Sequence, residues 1–202
     1  MEYILQIMLG TFMQKPPGTE KVLRTLEQTY DRIGPQDIIV GWTTENESYK
    51  QLLDFVHSNG KKVWLWLPVF SELPGDLSPD PTYNYLGNLQ KGLEVLPNED
   101  FRFVCPSSLH NQMLSLRLFD RHFSSLSLDG VFLDKIRHAS FAGGLEHAFG
   151  CFCPNCQKRY AEVGVNMGQI RHLLEEHPEA FFPSALDGLR YRFAHPEGAR
   201  FY

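Results

Sequence analysis

The chain has 202 residues, 43% of them hydrophobic and 21% charged, which is room for one domain of comfortable size or two small ones. At this length a chain buries roughly 70% of its unfolded surface and holds a core without needing disulfides or metal. The mixture excludes a disordered tail, a coiled coil and a collagen-like chain. A net charge of −5, from 19 basic and 24 acidic residues, lacks the basic footprint of a dedicated nucleic-acid binder.

No apolar run is long and unbroken enough for a transmembrane helix. The N-terminus carries Glu2 with no early Lys or Arg, unlike a secretory signal. The expected compartment is the cytoplasm, where thiols stay reduced, and neither nucleic acid nor membrane is an expected partner.

Residues 3–8 form a compact apolar run, the mark of a strand buried on both faces. Thr19 is placed to cap a helix in which Val22, Leu23, Leu26, Tyr30 and Ile33 recur at helical spacing, stopped by Gly34-Pro35. A second strand spans 37–42, and Asn46 is placed to cap a helix with Tyr49, Leu52, Leu53 and Val56 on one face. A third strand spans 62–67. With no hairpin signal between them, these elements predict a parallel sheet. Residues 70–100 hold several Pro, Gly, Asp and Asn and read as a long excursion from the C-terminal end of the third strand, the side where α/β proteins build sites. Leu109, Met113, Leu116, Phe119 and Phe123 mark a third helix, 130–134 a fourth strand, and 154–163 and 166–176 two short helices.

Four such units are half a (β/α)₈ barrel, which takes about 250 residues when whole. An open half leaves two unprotected sheet edges. A complete doubly wound domain is one solution. The reading adopted is the N-terminal part of a TIM barrel, one partial domain over 1–202 with a cysteine-bearing loop insertion around 141–163, read below as zinc-binding on its cysteines. If the chain is naturally complete, its open edges predict self-association into a homo-oligomer that closes the sheet.

Three of the four cysteines sit in Cys151-Phe-Cys153-Pro-Asn-Cys156. Thiolates at this spacing bite one metal ion, and Cys105 completes a tetrahedral set, with His147 as the substitute fourth ligand. Pro154 suits the first position of a helix whose N-terminal dipole favours thiolate. Four sulfurs leave no open position, so Zn²⁺ here would be structural and would pin the loop after the fourth strand to the loop carrying Cys105. The alternative is four unmetallated thiols.

Val104-Cys-Pro-Ser-Ser108 ahead of a helix, a strand ending in Asp134, and the Cys151–Cys156 knot ahead of another helix resemble the family 42 glycoside hydrolases. Those are (β/α)₈-barrel β-galactosidases, many with a four-cysteine zinc cluster. The resemblance covers roughly residues 60–165, and it implies a barrel fold, zinc on Cys105, Cys151, Cys153 and Cys156, and a carbohydrate substrate. Residues 130–137 also resemble the strand-four segment of several hydrolase-like barrels that end in an Asp and an Arg. In the family, strand four delivers an Asn-Glu pair whose Glu is the general acid/base. The matching stretch here reads Asp134-Lys135-Ile136, so only Asp134 is left for that role, with a shorter reach.

Asp134 stands where a barrel strand meets its active-site face. Its basic neighbours Lys135 and Arg137 suit it to a base, nucleophile or ligand anchor, or else it orders the loop by pairing with Arg137. Trp42 and Trp66 close the second and third strands and are candidate sugar-stacking platforms or core, whereas Trp64 reads as core. Glu45 and Glu72 are candidate hydroxyl acceptors or solvated loop residues, and His138 is a site residue or a structural one. Two functions follow from these residues: a carbohydrate-active barrel enzyme hydrolysing O-glycosyl bonds, and a non-catalytic zinc-stabilised sugar-binding or scaffold module. A third, a tRNA-guanine transglycosylase with its own C-x-C-x-x-C knot, lacks the basic surface that tRNA needs. No G-x-G-x-x-G, P-loop or G-x-S-x-G is present.

Overall fold

The computed structural model describes residues 3–10, 18–71, 73–74, 77–90, 92–94, 100–139 and 150–177. Two compact units divide them: one holds residues up to 81 and from 92 to 139, the other 82–90 and 150–177. Among the described residues no helix is long and apolar enough to cross a membrane.

The first unit is a four-stranded parallel sheet with helices between its strands. Strand β1 (Ile4–Met8), helix α1 (Thr19–Ile33), β2 (Asp37–Gly41), α2 (Asn46–Ser58) and β3 (Lys62–Pro68) follow one another. A two-stranded antiparallel ribbon, β4 (Leu93–Glu94) with β5 (Asp100–Phe101), stands in the excursion, and α3 (Leu109–His122) leads to β6 (Gly130–Asp134). The sheet order is β1-β2-β3-β6, all parallel. A doubly wound sheet reverses its order partway, so that helices fall on both faces. Here each strand is added on the same side as the last. With right-handed crossovers, that stacks every connecting helix on one face. This is the winding of a partial TIM barrel, and the doubly wound alternative falls.

The alternation of side chains follows from the pleat. Ile38, Val40, Val63, Leu65 and Leu67 are buried against Leu26, Leu52, Leu53, Val56, Leu118 and Phe123. Gln6, Ile39, Trp64, Trp66 and Phe132 share the opposite face, as the register pairs Gln6 with Ile39, Ile39 with Trp64 and Trp66 with Phe132. The first strand is not buried on both faces as its apolar run predicts: Ile4 is 63% and Met8 41% exposed. The reason is positional. β1 and β6 are the edges of the sheet, and no second layer covers the face opposite the helices among the described residues.

Helix starts also differ from the sequence reading. Gly18, not Thr19, is the N-cap of α1, and the Thr19 hydroxyl instead meets the Ser48 hydroxyl at 3.0 Å. Glu45, not Asn46, precedes α2. Gly34 ends α1 in the left-handed region at φ 53° and donates its N–H to the Tyr30 carbonyl. Between β3 and β6, Asp129 accepts hydrogen bonds from the Val63 N–H at 2.8 Å and from His57 at 2.9 Å. Partial burial pushes its carboxyl pKa up, but these two bonds and the charges of His57 and Lys62 outweigh it and hold the value below the usual range.

Two glycines set how closely the strands approach. A Cβ on Gly130 would fall in the Trp64 ring, and one on Gly41 would collide with the Trp66 carbonyl and Cβ. The first obstacle is a side chain; the second includes backbone that cannot step aside. Gly41→Ala is therefore expected to cost about 3 kcal/mol, lowering the melting temperature by roughly 6–12 °C in a calorimetric scan.

In the second unit, α4 (Pro154–Glu162) and α5 (Met167–Glu176) enclose a small core of Tyr85, Phe152, Met167, Ile170 and Leu174. Asn166 caps α5 by accepting from the N–H groups of Gly168 and Gln169.

Candidate functional site

The C-terminal rim of β2, β3 and β6 carries the most unusual backbone of the first unit. Among the described residues, Trp42 (φ 73°) and Lys135 (φ 52°) are the non-glycine residues in the left-handed region. Such a conformation costs on the order of 1–3 kcal/mol per residue, and it persists where surrounding contacts over-determine it, commonly at functional sites. The two strained residues touch: the Lys135 ammonium stands 4.4 Å from the centroid of the Trp42 ring. Trp42 in turn packs on Trp66, with centroids 5.0 Å apart. The Tyr49 hydroxyl donates to the Thr43 carbonyl and fixes the loop just after Trp42.

Asp134 completes the cluster. Its Oδ2 accepts from Trp66 Nε1 at 2.8 Å and its Oδ1 from its neighbour's backbone, the Lys135 N–H, at 2.7 Å. Both donors come from rigid groups, an indole on a strand and a backbone amide turned by the left-handed residue, so the carboxylate cannot rotate freely. Trp42 is buried, while Trp66, Asp134 and Lys135 are half-buried. Asp134, Trp42 and Trp66 are thus brought together at one strand end.

The other candidates stand apart from that clamp. Arg137 is exposed; its guanidinium donates to the His138 carbonyl at 3.0 Å and lies over the Phe103 ring, and it does not bond Asp134. The Asp134–Arg137 pairing, one of the two readings of this aspartate, is replaced by the bonds from Trp66 and Lys135. Glu45 is exposed and accepts from the Ser48 hydroxyl at 2.7 Å, which ties its carboxylate to the start of α2. Trp64 lies half-buried on the open face of the sheet and donates to Asp37 at 3.2 Å. Burial pushes the His138 imidazole pKa down, partly offset by the nearby Cys105. Glu72 and His147 lie outside the described residues. Lys135, read from sequence only as a charge beside Asp134, acts through its amide and through Trp42. Nothing in the sequence signals that role, because lysine carries no mark of a left-handed backbone.

The cysteines form a second site. Cys105, Cys151, Cys153 and Cys156 are all buried, and their sulfurs lie within 4.8 Å of one another. Asn111 fixes the Cys105 loop. Fully buried, it donates from Nδ2 to the carbonyls of Asp80 and Cys105 and accepts the Asp80 N–H at Oδ1, each at 2.8 Å. The Ser108 hydroxyl meets the Asp80 carboxylate and caps α3 by accepting the Asn111 N–H. In the second unit Cys151 Sγ accepts the Tyr83 N–H at 3.4 Å, and Phe152 returns its N–H to the Tyr83 carbonyl. Cys153 is the N-cap of α4, Pro154 opens that helix, and Cys156 lies in its first turn. Burial, with the sulfurs of Cys156 and Cys151, raises the Tyr160 pKa.

Sequence reasoning missed Asn111, whose only signal is its place three residues after the capping Ser108. Asn111→Ala leaves three backbone groups without their partner, at about 1–3 kcal/mol each when buried. A loss of at least about 3 kcal/mol is expected in a denaturant titration.

A tetrahedral zinc with bonds of about 2.3 Å places its sulfurs roughly 3.8 Å apart. The four cysteines need to draw in by no more than about an ångström, so the donor set fits a metal ion.

No family model and no curated protein matches the chain. Among solved structures it is similar to the α-L-fucosidase isoenzyme 2 from Paenibacillus thiaminolyticus, with a TM-score of 0.55 at 13% identity over 83% of this chain. A looser likeness, with a TM-score of 0.44 at 14% identity over 80% of this chain, is to the ligand-free α-N-acetylgalactosaminidase NagBb from Bifidobacterium bifidum. The chain spans 27% of the fucosidase and 33% of the second enzyme. The sheet order and the likeness to the fucosidase make the fold class α/β, four consecutive units wound as in a partial TIM barrel.

Proposed function

We propose that the rim formed by Trp42, Trp66, Asp134 and Lys135 recognises a carbohydrate, in a glycoside-hydrolase-like barrel. The observation that carries this reading is the Trp66–Asp134 pair, a half-buried indole bonded at 2.8 Å to a carboxylate. A sugar offers an apolar C–H face and a rim of hydroxyls, and an indole beside an acceptor meets both. A carboxylate has about four acceptor positions. Two on Asp134 are taken by Trp66 and Lys135, which leaves two for sugar hydroxyls. Arg137 and Glu45, exposed on the loops that follow β6 and β2 and apart from the clamp, are assigned a donor and an acceptor role toward the outer part of the ligand.

Hydrolysis needs two carboxyl groups across the glycosidic bond. Asp134 serves as one, held as an acceptor and so suited to base, nucleophile or anchor. Its two fixed bonds equally favour the second reading, a binding module that does not turn substrate over. Cys105, Cys151, Cys153 and Cys156 hold a zinc whose four thiolates leave no open position, so its part is structural. Titrating glycans while following indole fluorescence tests the site: saturable quenching that disappears in Trp66→Ala and Asp134→Asn is expected. Quenching unchanged in both variants sinks the proposal.

A further inference from the structure

We propose that the first unit carries a further ligand site on the flank of α3, sharing no residue with the rim, and that it takes a small amphipathic anion: an apolar chain ending in a carboxylate. The segment that leaves β3 runs alongside this helix. Leu73 packs on the core, the His110 ring donates from Nε2 to the Ser78 carbonyl at 3.2 Å, and Asn111 holds Asp80. The attachments to His110 and Asn111 both fall in the first turn of α3. Farther along the helix a cavity of about 460 Å³ opens, with Pro74 and Leu77 on one side and Leu114 and Leu118 on the other. Leu114 and Leu118 are buried and give it an apolar floor. Small-molecule sites run from roughly 300 to 1,000 Å³, so the hollow suits a small occupant.

Charge selects that occupant. Arg117 and Arg121 line the same cavity. They stand four residues apart on one helix face, where like charges repel. Both are exposed. Among the described residues neither forms an ion pair, although Asp120 lines the cavity with them. The negative end of the helix dipole favours basic residues in the last turn, which accounts for Arg121 and His122. Arg117 stands a turn earlier, where that effect has faded.

An anion held by both guanidiniums removes the repulsion, and the planar fork of arginine matches a carboxylate with two parallel hydrogen bonds. An exposed ion pair by itself contributes little. The apolar chain in the hollow therefore supplies most of the affinity, and the arginines supply the choice of an anion. In a chain whose net charge is −5, two unmatched cations beside an apolar hollow are complementary to a ligand that carries both features.

Isothermal titration of the 202-residue chain with octanoate, octanol and acetate tests this. Octanoate should bind saturably and at least roughly tenfold more tightly than octanol, which lacks the charge, or acetate, which lacks the chain. Arg117→Gln and Arg121→Gln should each weaken octanoate by roughly tenfold and leave octanol unchanged. Arg117→Lys, which keeps the charge, should restore most of the loss. Both arginines are exposed, so these variants should melt with the parent. Leu77→Ser should weaken octanoate and octanol alike, and added salt should weaken octanoate alone. No binding of octanoate would overturn the proposal, as would octanol or acetate binding equally well. Octanoate binding that survives both glutamine substitutions would overturn it too, by placing the probe on another apolar surface such as the open face of the sheet. The titration needs neither glycan nor metal, so its failure leaves the carbohydrate reading untouched.

Discussion

Cys153→Ser is expected to abolish binding of the proposed zinc and to cost at least about 4 kcal/mol. Structural zinc on thiolates contributes roughly 10–16 kcal/mol in small peptides at neutral pH, and a larger core keeps part of its fold without it. Losing one ligand leaves three buried sulfurs that must either share a weakly held ion or take up protons. At roughly 2–4 °C per kcal/mol for a chain of this size, the melting temperature should fall by about 8–16 °C. Elemental analysis should find one zinc per chain in the parent and none in the variant, and a chelator should reproduce the loss of stability. Acid should act in the same direction, because the ligands bind as thiolates and protons compete for them. A chain that carries no zinc and melts unchanged after the substitution would remove the metal from the account.

At the proposed carbohydrate site, Asp134→Asn should weaken glycan binding by roughly 100-fold, the equivalent of about 2.7 kcal/mol. Hydrogen bonds to a charged group contribute about 1.5–3 kcal/mol each, and the substitution loses more than charge. An amide has one acceptor oxygen, so its NH₂ must face either Trp66 Nε1 or the Lys135 N–H, both of which are donors. The side chain then turns, and the positions offered to sugar hydroxyls turn with it. Trp66→Ala should do comparable damage by removing both the platform and one of the donors. Trp66→Phe keeps a ring and loses only the N–H, so a loss nearer tenfold is expected. Residues that act through one hydrogen bond are not additive. The double variant should fall short of the summed effects by the energy of that bond, and additive effects would mean that Trp66 and Asp134 act separately.

The amino-acid sequence by itself determined the elements and their order. Apolar runs at 37–41 and 62–68 and the helical spacing of Tyr49, Leu52, Leu53 and Val56 are local patterns, and the fold keeps them. The four cysteines were legible for the same reason, since chelate spacing is itself a local property. Asp134 was legible as a residue at a strand end. Tertiary structure decided everything that depends on register. The Trp66–Asp134 bond joins residues 68 apart in sequence, and it forms because β3 and β6 pair with Pro68 opposite Asp134. The left-handed backbones of Trp42 and Lys135 have no sequence mark, because contacts between the two residues hold them there. The openness of β1 and β6 is likewise invisible in an apolar run. A run of Ile, Leu and Met states what a strand would gain from burial, but only the neighbours that actually pair with it decide whether that burial takes place.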